Sequence, residues 1–349
     1  MIYNYQKHLI ISKSSIKQGL EKLNELAADA ILFVVSEDDR LLGSLTDGDV
    51  RRGFLKGLNI ENVVDDFVQP DPKHIQRGNY TIKEVIEYRN NNYRILPVID
   101  QDGVVVNVVN FRFFKSYLPV DVVIMAGGRG ERLRPLTDVV PKPLLKVGEK
   151  AIIEHNLDRL TSFGVDDFWI TVRYLGQQIK DHIGNGAQKG ISVKYIDEES
   201  ALGTIGAVAL IDGFQHDYIL ITNSDVLTNL DYEHFFLEFI NSNADFSVAT
   251  IPYNVNVPYA ILETSNGVIN KFTEKPTYTY FANAGIYLMK KEFCKVIPKD
   301  KFYNATDLLD YLITNNHKVT SYPLRGYWLD IGKHDDYKKA QDDINFIAF

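Results

Sequence analysis

The sequence predicts an α/β protein in two parts, a pair of small α/β modules in residues 1–118 and a Rossmann-like, mostly parallel sheet in residues 119–349. The first observation is an internal repeat in the first third of the chain. The second is a change after residue 119 to apolar strands that alternate with longer helical segments, which is typical of an open parallel sheet. The third is a glycine-rich loop directly after the apolar run 122–126. The boundary is placed at Leu118–Pro119, because the residue before a proline leaves the helical region.

The repeat has a period of roughly 65 residues, in which Ile16 matches Ile82 and Val35 matches Ile99. This period is too long for a solenoid unit and occurs only twice, so it predicts two similar modules. Each copy is predicted to run helix, strand, acidic turn, strand, helix.

The end of the first copy carries a motif of small and polar residues, which are Gly43, Ser44, Leu45, Thr46 and Asp49. This motif resembles that of tandem cystathionine-β-synthase (CBS) domains. The resemblance implies a regulatory nucleotide held by Thr46 and Asp49, since a carboxylate can accept hydrogen bonds from both hydroxyls of a ribose. It also implies self-association into a homo-oligomer. The second copy departs from the motif at Asn107, Asn110 and Phe113. The alternative is a docking or dimerisation module in which Asp49 caps the following helix.

Composition and charge exclude several classes of partner. The net charge of −8 and the pI of about 5.5 argue against nucleic acid or an anionic membrane as a general partner. One cysteine, Cys294, excludes an internal disulfide and fits a reducing compartment. No signal peptide is recognisable, and no apolar run approaches the roughly 20 residues that span a bilayer. We therefore expect a cytoplasmic protein.

The glycine-rich loop lies within the stretch VVIMAGGRGERLRPLTDVVPKPLL, residues 122–145. Glycines allow a close approach of the backbone to an anion, and arginine and lysine add the charge that a polyphosphate needs. The loop lacks the GK[ST] ending of a P-loop, and Leu133 stands where a dinucleotide-binding fingerprint has its third glycine. A phosphate site of another type is expected.

The spacing GGxGxRLxPLT, followed by PKPLL, resembles the signature of sugar-1-phosphate nucleotidyltransferases. The resemblance implies a GT-A-like domain in which the loop binds a nucleotide through Ala126, Gly127, Gly128 and Gly130. Arg132 and Lys142 are then the groups that neutralise the departing pyrophosphate.

Further motifs of the same family follow in order to the end of the chain. EESALGTIGAV resembles the second nucleotide segment, with Glu198, Gly203 and Thr204. NSDVL and YWLDIG place Asp225 and Asp330 where the family holds Mg²⁺. The resemblance assigns the sugar phosphate to six residues, which are Tyr259, Ala260, Glu274, Lys275, Asn283 and Gly285.

The chemistry of nucleotidyl transfer fits this set of residues. A phosphate monoester has a second pKa of about 6, so the attacking sugar phosphate is already anionic and needs no catalytic His, Ser or Cys. The reaction needs positioning and charge neutralisation instead. The alternative of a different class is a catalytically silent subunit that senses nucleotides through the CBS pair.

The base and the sugar are predicted from two positions. Guanine offers two adjacent donors that a carboxylate can accept together, so Glu198, at the position that faces the base in this family, favours GTP. A CBS pair fused to such a domain resembles glucosamine-1-phosphate guanylyltransferases of legionaminic acid pathways. Mannose- or heptose-1-phosphate guanylyltransferases, or uridylyl-, thymidylyl- or cytidylyltransferases acting on glucose 1-phosphate, are the alternatives. Ala260 adds a methyl group at the expected sugar wall.

Overall fold

The computed structural model of the chain describes residues 4–347. Its α-helices in chain order are α1 (Ile16–Leu26), α2 (Asp47–Leu55), α3 (Ile82–Asn90), α4 (Ile152–Thr161), α5 (Gly176–Ile183), α6 (Tyr232–Asn241), α7 (Ala305–Thr314) and α8 (His334–Asp343). The strands of the first third are β1 (Leu9–Ile11), β2 (Ile31–Val35), β3 (Leu41–Thr46), β4 (Gln69–Pro70), β5 (Ile75–Gln76), β6 (Ile95–Ile99) and β7 (Val105–Asn110).

The remaining strands belong to the larger part of the chain. They are β8 (Val120–Ala126), β9 (Lys146–Val147), β10 (Lys150–Ala151), β11 (Asp167–Val172), β12 (Ser192–Asp197), β13 (Tyr218–Asn223), β14 (Val226–Thr228), β15 (Phe246–Asn256), β16 (Ile261–Ser265), β17 (Val268–Thr273), β18 (Thr277–Lys290), β19 (Val319–Pro323) and β20 (Trp328–Asp330).

The first third contains two modules with matching irregularities. Strands β2 and β3 form an antiparallel pair whose register shifts at Val34/Val35, and β6 and β7 form one whose register shifts at Val98/Ile99. These shifts fall at equivalent points of the repeat. The acidic turns of the two modules pair with each other through an isolated bridge between Arg40 and Val104. The two copies are therefore similar in backbone geometry as well as in sequence.

The prediction of a helix at the end of the second module is wrong. After β7 the chain forms only turns before β8 begins at residue 120. The N–H groups of Lys115 and Leu118 donate to the carbonyls of Ser162 and Phe163, at 2.7 and 3.2 Å. These bonds to the larger part of the chain replace the i→i−4 bonds of a helix, and Pro119 prevents its continuation.

The larger part is built on a seven-stranded sheet with the order β12-β11-β8-β13-β18-β15-β19. Every neighbouring pair is parallel except the two pairs that contain β18, so only β18 runs against the others. The prediction of an α/β fold with a mostly parallel sheet is confirmed.

Side chains that alternate along the strands form two cores on opposite faces of this sheet. On β8, Val122 and Ile124 pack with α4, α5 and α6, whereas Val123 packs with α7. Both faces of the central strands are thus covered, which explains their nearly continuous apolar sequence.

The second module shares a hydrophobic core with the larger part. Val85 of α3 and Leu96 of β6 belong to the same buried cluster as Leu157 and Leu160 of α4. Arg89 adds an ion pair of 2.9 Å with Glu233 of α6. Residues on both sides of Pro119 are therefore packed together, and the boundary between residues 118 and 119 stays a prediction. Between residues 4 and 347, no helix is long and apolar enough to cross a membrane.

Candidate functional site

A cleft of about 570 Å³ lies at the carboxyl edge of the main sheet. The register of the parallel strands explains its position, because Ala126 pairs with Val172, which in turn pairs with Asp197. The segments that follow β8, β11, β12 and β13 therefore meet at one edge. In open α/β sheets, this edge is where ligands bind.

The glycine loop after β8 forms one wall of the cleft. Gly130 has a φ of +65°, in the left-handed region, and packs closely against Lys142 and Thr137. At Gly127 an added Cβ would lie 2.5 Å from Oε1 of Glu198. Gly127 is thus the residue that allows the Glu198 carboxylate to lie directly against the loop.

Asp225 and Asp330 are brought together by a small two-stranded sheet. Strands β14 and β20 are antiparallel with Val226 opposite Asp330, and the N–H of Ile331 donates to the carbonyl of Asp225 at 3.0 Å. Nζ of Lys142 contacts Oδ2 of Asp225 and lies 4.0 Å from Oδ1 of Asp330. The two predicted metal aspartates are therefore neighbours, with a lysine ammonium between them.

The electrostatics of this group favour a cation. Burial and the neighbouring Asp225 carboxylate raise the pKa of Asp330, while Lys142 and Arg132 oppose that rise. Oδ1 of Asp225 is buried and has no hydrogen-bond partner within residues 4–347. An anionic pair with an unsatisfied oxygen is a suitable donor set for a divalent cation, which prefers oxygen ligands.

Most of the predicted site residues line the cleft. They are Ala126, Gly127, Gly128, Gly130, Arg132, Lys142, Glu198, Gly203, Thr204 and Asp225. Asp330 joins them through Lys142. Gly285, with a φ of +74°, lies so close to Asn223 of the cleft that a Cβ would be 2.6 Å from its side-chain nitrogen. Asn283 accepts a hydrogen bond of 2.9 Å from the Gly285 N–H.

The other four predicted sugar-phosphate residues do not line this cleft. Tyr259, Ala260, Glu274 and Lys275 belong to an arm, residues 252–283, in which β15 and β18 extend beyond the main sheet and carry the hairpin β16–β17. The arm's side chains are largely exposed, as the 76% exposure of Tyr259 illustrates. A role of these four residues in sugar binding stays a prediction.

The predicted CBS ligand residues form a helix cap. Thr46 is the N-cap of α2, and its N–H and hydroxyl both donate to Oδ2 of Asp49, at 2.9 and 2.6 Å. Oδ1 of Asp49 contacts the guanidinium of Arg52. Both oxygens of the buried Asp49 carboxylate thus have partners within the first module.

The polar residues of the cleft that were not predicted as site residues include Arg173 and Asn223. Arg173 follows β11, and Asn223 ends β13. The rule that found the glycine loop, a position directly after a buried parallel strand, also applies to Arg173, which follows the apolar run Phe168–Val172. Arg173 was missed because no motif surrounds it.

A second acidic group lies away from this cleft. Side-chain atoms of Asp166, Asp167 and His216 come within 4.8 Å of one another. Arg77 contacts both aspartates, and Asp166 also accepts from Asn107 and from Tyr117, at 3.0 and 2.8 Å. Because these oxygens already have donors and a cation, the group links the second module to the main sheet and does not fit a metal ion.

Comparison with known proteins matches the part of the chain that contains the cleft residues. The model of the Nucleotidyl transferase family matches residues 121–345. The bifunctional protein GlmU of Methanocaldococcus jannaschii is 30% identical over 65% of this chain, which spans only 55% of that protein's length. The N-acetylmuramate α-1-phosphate uridylyltransferase of Neisseria meningitidis is 32% identical over 63% of this chain and 96% of its own length.

A solved structure shares the fold of the larger part. HddC from Yersinia pseudotuberculosis, complexed with GMP-PN, superposes with a TM-score of 0.50 and 25% identity over 64% of this chain and 99% of that one. The match of the family model begins at residue 121, so the two modules of the first third lie outside it.

Proposed function

The chain belongs to the Nucleotidyl transferase family, and on this basis we propose that it joins a nucleoside triphosphate to a sugar 1-phosphate, giving a nucleotide sugar and pyrophosphate. One observation carries the proposal: Lys142, Asp225 and Asp330 meet at the glycine-loop cleft. The cleft combines backbone N–H groups for phosphates with cations for the leaving group.

The residues act by position and charge. The glycine loop holds the triphosphate, and Arg132 and Lys142 neutralise the pyrophosphate as its bond to the α-phosphorus breaks. The anionic phosphate of the sugar attacks that phosphorus without a general base, since it carries no proton that must be removed near neutral pH.

Asp225 and Asp330 are the residues that would hold Mg²⁺. The unsatisfied, buried Oδ1 of Asp225 and the mutual repulsion of the two carboxylates support this assignment. When bound, the ion supplies Lewis-acid stabilisation of the charge that develops on the phosphates.

We infer that GTP and glucosamine 1-phosphate are the substrates. The carboxylate of Glu198 in the cleft supports a guanine base, and HddC, a structural relative, was solved with the guanine nucleotide analogue GMP-PN. The uridylyltransferase of N. meningitidis is 32% identical to this chain, against 25% for HddC, so the base must be measured. Mannose and heptose 1-phosphates are the competing sugars. The arm, with Tyr259, Ala260, Glu274 and Lys275, would contact the sugar phosphate.

The first third is proposed to be a CBS pair that binds a regulatory nucleotide and assembles a homo-oligomer. The partners of Asp49 support the capping alternative, since a ribose would have to displace Arg52. Calorimetric titration of the full chain with AMP tests this proposal. Binding that is lost in Asp49→Asn supports a regulatory site, and equal binding in both proteins refutes it.

The activity test is a matrix of GTP, UTP, dTTP, CTP and ATP against glucosamine, glucose, mannose and heptose 1-phosphates, with Mg²⁺ and pyrophosphate release as the readout. We expect the highest rate with GTP and glucosamine 1-phosphate, and a loss of about a hundredfold to a thousandfold in Asp225→Asn, on the scale of losing a principal electrostatic group. Absence of pyrophosphate in every combination would favour the silent nucleotide-sensing subunit.

A further inference from the structure

Arg173 and Glu198 occupy equivalent positions at the ends of neighbouring parallel strands. Val172 of β11 pairs with Asp197 of β12, and the N–H of Glu198 donates to the Val172 carbonyl at 2.9 Å. The residues that follow this pair are Arg173 and Glu198, and both line the cleft. A cation and an anion therefore stand side by side at the end of the cleft formed by β11 and β12.

Glu198 presents hydrogen-bond acceptors in a confined place. Its side chain lies against the backbone of Gly127, and only 8% of the residue is exposed. Burial raises the pKa of its carboxyl, while Thr171, the Leu202 N–H and the charge of Arg173 oppose that rise. Burying a charged carboxylate costs free energy unless hydrogen-bond donors contact it.

Arg173 presents donors that the protein itself does not use. Its guanidinium has neither a hydrogen bond nor an ion pair within 4.0 Å among residues 4–347, and its Nε is buried without a partner there. If Arg173 served only to balance Glu198, a direct ion pair would be expected. Both side chains line the cleft and therefore remain available to a group that binds there.

Guanine has the matching arrangement of polar atoms. Its N1–H and N2–H₂ are adjacent donors, and its O6, next to N1, and N7 are adjacent acceptors that arginine binds in a bidentate manner. Adenine has an amino donor in place of O6, and uracil has a single ring donor between two acceptors. Neither base satisfies a carboxylate and an arginine placed side by side.

We propose that Arg173 and Glu198 form a guanine clamp, in which Glu198 accepts from N1–H and N2–H₂ and Arg173 donates to O6 and N7. The inference rests on the proposed function, because it identifies the base that this cleft selects. Arg173 is the new element, as a specificity-determining residue outside every motif of the sequence.

Nucleotide analogues that each lack one hydrogen-bonding group of guanine test the two halves of the clamp. Equilibrium binding to the full-length protein is measured by calorimetry for GTP, ITP, 7-deaza-GTP, ATP and UTP. ITP lacks the N2 amino group and 7-deaza-GTP lacks the N7 acceptor, so each should bind the wild-type protein about tenfold more weakly than GTP.

Variants of Arg173 and Glu198 show which residue is responsible for each loss of binding affinity. Arg173→Met should remove the difference between GTP and 7-deaza-GTP and keep that between GTP and ITP, whereas Glu198→Gln should do the reverse. Arg173→Lys should keep part of the affinity without the bidentate preference. Arg325→Met removes an exposed arginine elsewhere and should change neither difference. Melting temperatures check that each variant is folded. If a variant does not fold, the affinities of the wild-type protein for the analogues still test whether N2 and N7 of guanine are recognised.

The failures of the two proposals are distinguishable. Equal affinities of the wild-type protein for all five nucleotides, or an undiminished 7-deaza-GTP effect in Arg173→Met, would overturn the clamp while pyrophosphate release could still support the transferase. Guanine selectivity without pyrophosphate release would support the clamp and overturn the proposed activity.

Discussion

The ammonium group of Lys142 contacts the carboxylate of Asp225 and lies 4.0 Å from that of Asp330. Lys142 is buried, so its charge is partly withdrawn from water and the carboxylates compensate for that loss. The same carboxylates are the proposed ligands of Mg²⁺. A lysine and a divalent cation therefore compete for Asp225, and a triphosphate would offer the lysine a second anionic partner.

Replacing Lys142 with methionine is expected to strengthen metal binding while it weakens catalysis. Without the ammonium, the two carboxylates repel each other more, so Mn²⁺ in the absence of nucleotide should bind about tenfold more tightly, a gain of ~1.4 kcal/mol. Turnover should fall, because the leaving pyrophosphate loses a cation. Electron paramagnetic resonance of free Mn²⁺ measures the first effect without any substrate.

The matched control is Lys146→Met, which removes an exposed lysine of β9 outside the cleft. Its Mn²⁺ affinity should equal that of the wild-type protein. Weaker Mn²⁺ binding in Lys142→Met than in this control would contradict the competition.

Gly127→Ala is expected to destabilise the protein and weaken nucleotide binding. The added Cβ would lie 2.5 Å from Oε1 of Glu198, so the carboxylate must move away from the loop. The displaced carboxylate loses hydrogen bonds with Thr171 and the Leu202 N–H, at a cost of about 1 to 3 kcal/mol. At Gly128 an added Cβ meets nothing within 4 Å, so the unfolding free energy of Gly128→Ala should stay near that of the wild-type protein. Urea unfolding compares the two, and equal losses of stability would refute the steric account.

The features that could be predicted from the sequence are those encoded locally. The spacing from Gly127 to Lys142 identified the cleft, because the strand, turn and loop that build this wall are continuous in the chain. The alternation of apolar strands and helices predicted the main sheet, which depends on the same local pattern. The match of Ile16 with Ile82 likewise predicted two modules of similar backbone.

The features that were missed depend on packing between distant segments. The helix expected after Asn110 is absent because the Lys115 and Leu118 N–H groups find acceptors near α4, a contact that no local pattern reveals. Arg173 lies in the cleft only because β11 is the neighbour of β8. The exposed position of Tyr259 follows from the length by which β15 extends beyond the sheet, which the motif around that residue does not encode.

Arg77→Met is expected to weaken the contact between the second module and the main sheet. The Arg77 guanidinium contacts Asp167 and lies 3.2 Å from Asp166, and Asp167 is only 9% exposed. Removing the cation leaves two carboxylates close together in a poorly hydrated place, at a cost of about 2 to 4 kcal/mol. Because both parts share one buried core, urea should still unfold them in a single transition.

A double-mutant cycle supplies the control for Arg77. Adding Asp167→Asn to Arg77→Met should restore part of the lost stability, since it removes one unpaired charge. Lys271→Met breaks an exposed ion pair with Glu263, whose side chains are 65% and 61% exposed, and should change stability by less than about 0.5 kcal/mol. A loss as large in Lys271→Met as in Arg77→Met would contradict the role of burial.

Asp121→Asn is expected to stabilise the protein at neutral pH and leave it unchanged in acid. Burial at the start of β8 raises the pKa of Asp121 to about 6. The folded state therefore binds the Asp121 proton more tightly than the unfolded chain, so stability falls as the pH rises from about 4 to about 6 and stays lower above that range. The ionised carboxylate costs about 2 to 3 kcal/mol of stability, while Asn keeps an acceptor for the backbone N–H of His216, which bonds Asp121 at 2.8 Å.

Urea unfolding at pH 4 and pH 7.5 should give equal stabilities in acid and a more stable variant at pH 7.5. Asp217→Asn, an exposed change nearby, should show no such pH-dependent gain, and an Asp121→Asn variant less stable than wild type at pH 7.5 would refute the assignment.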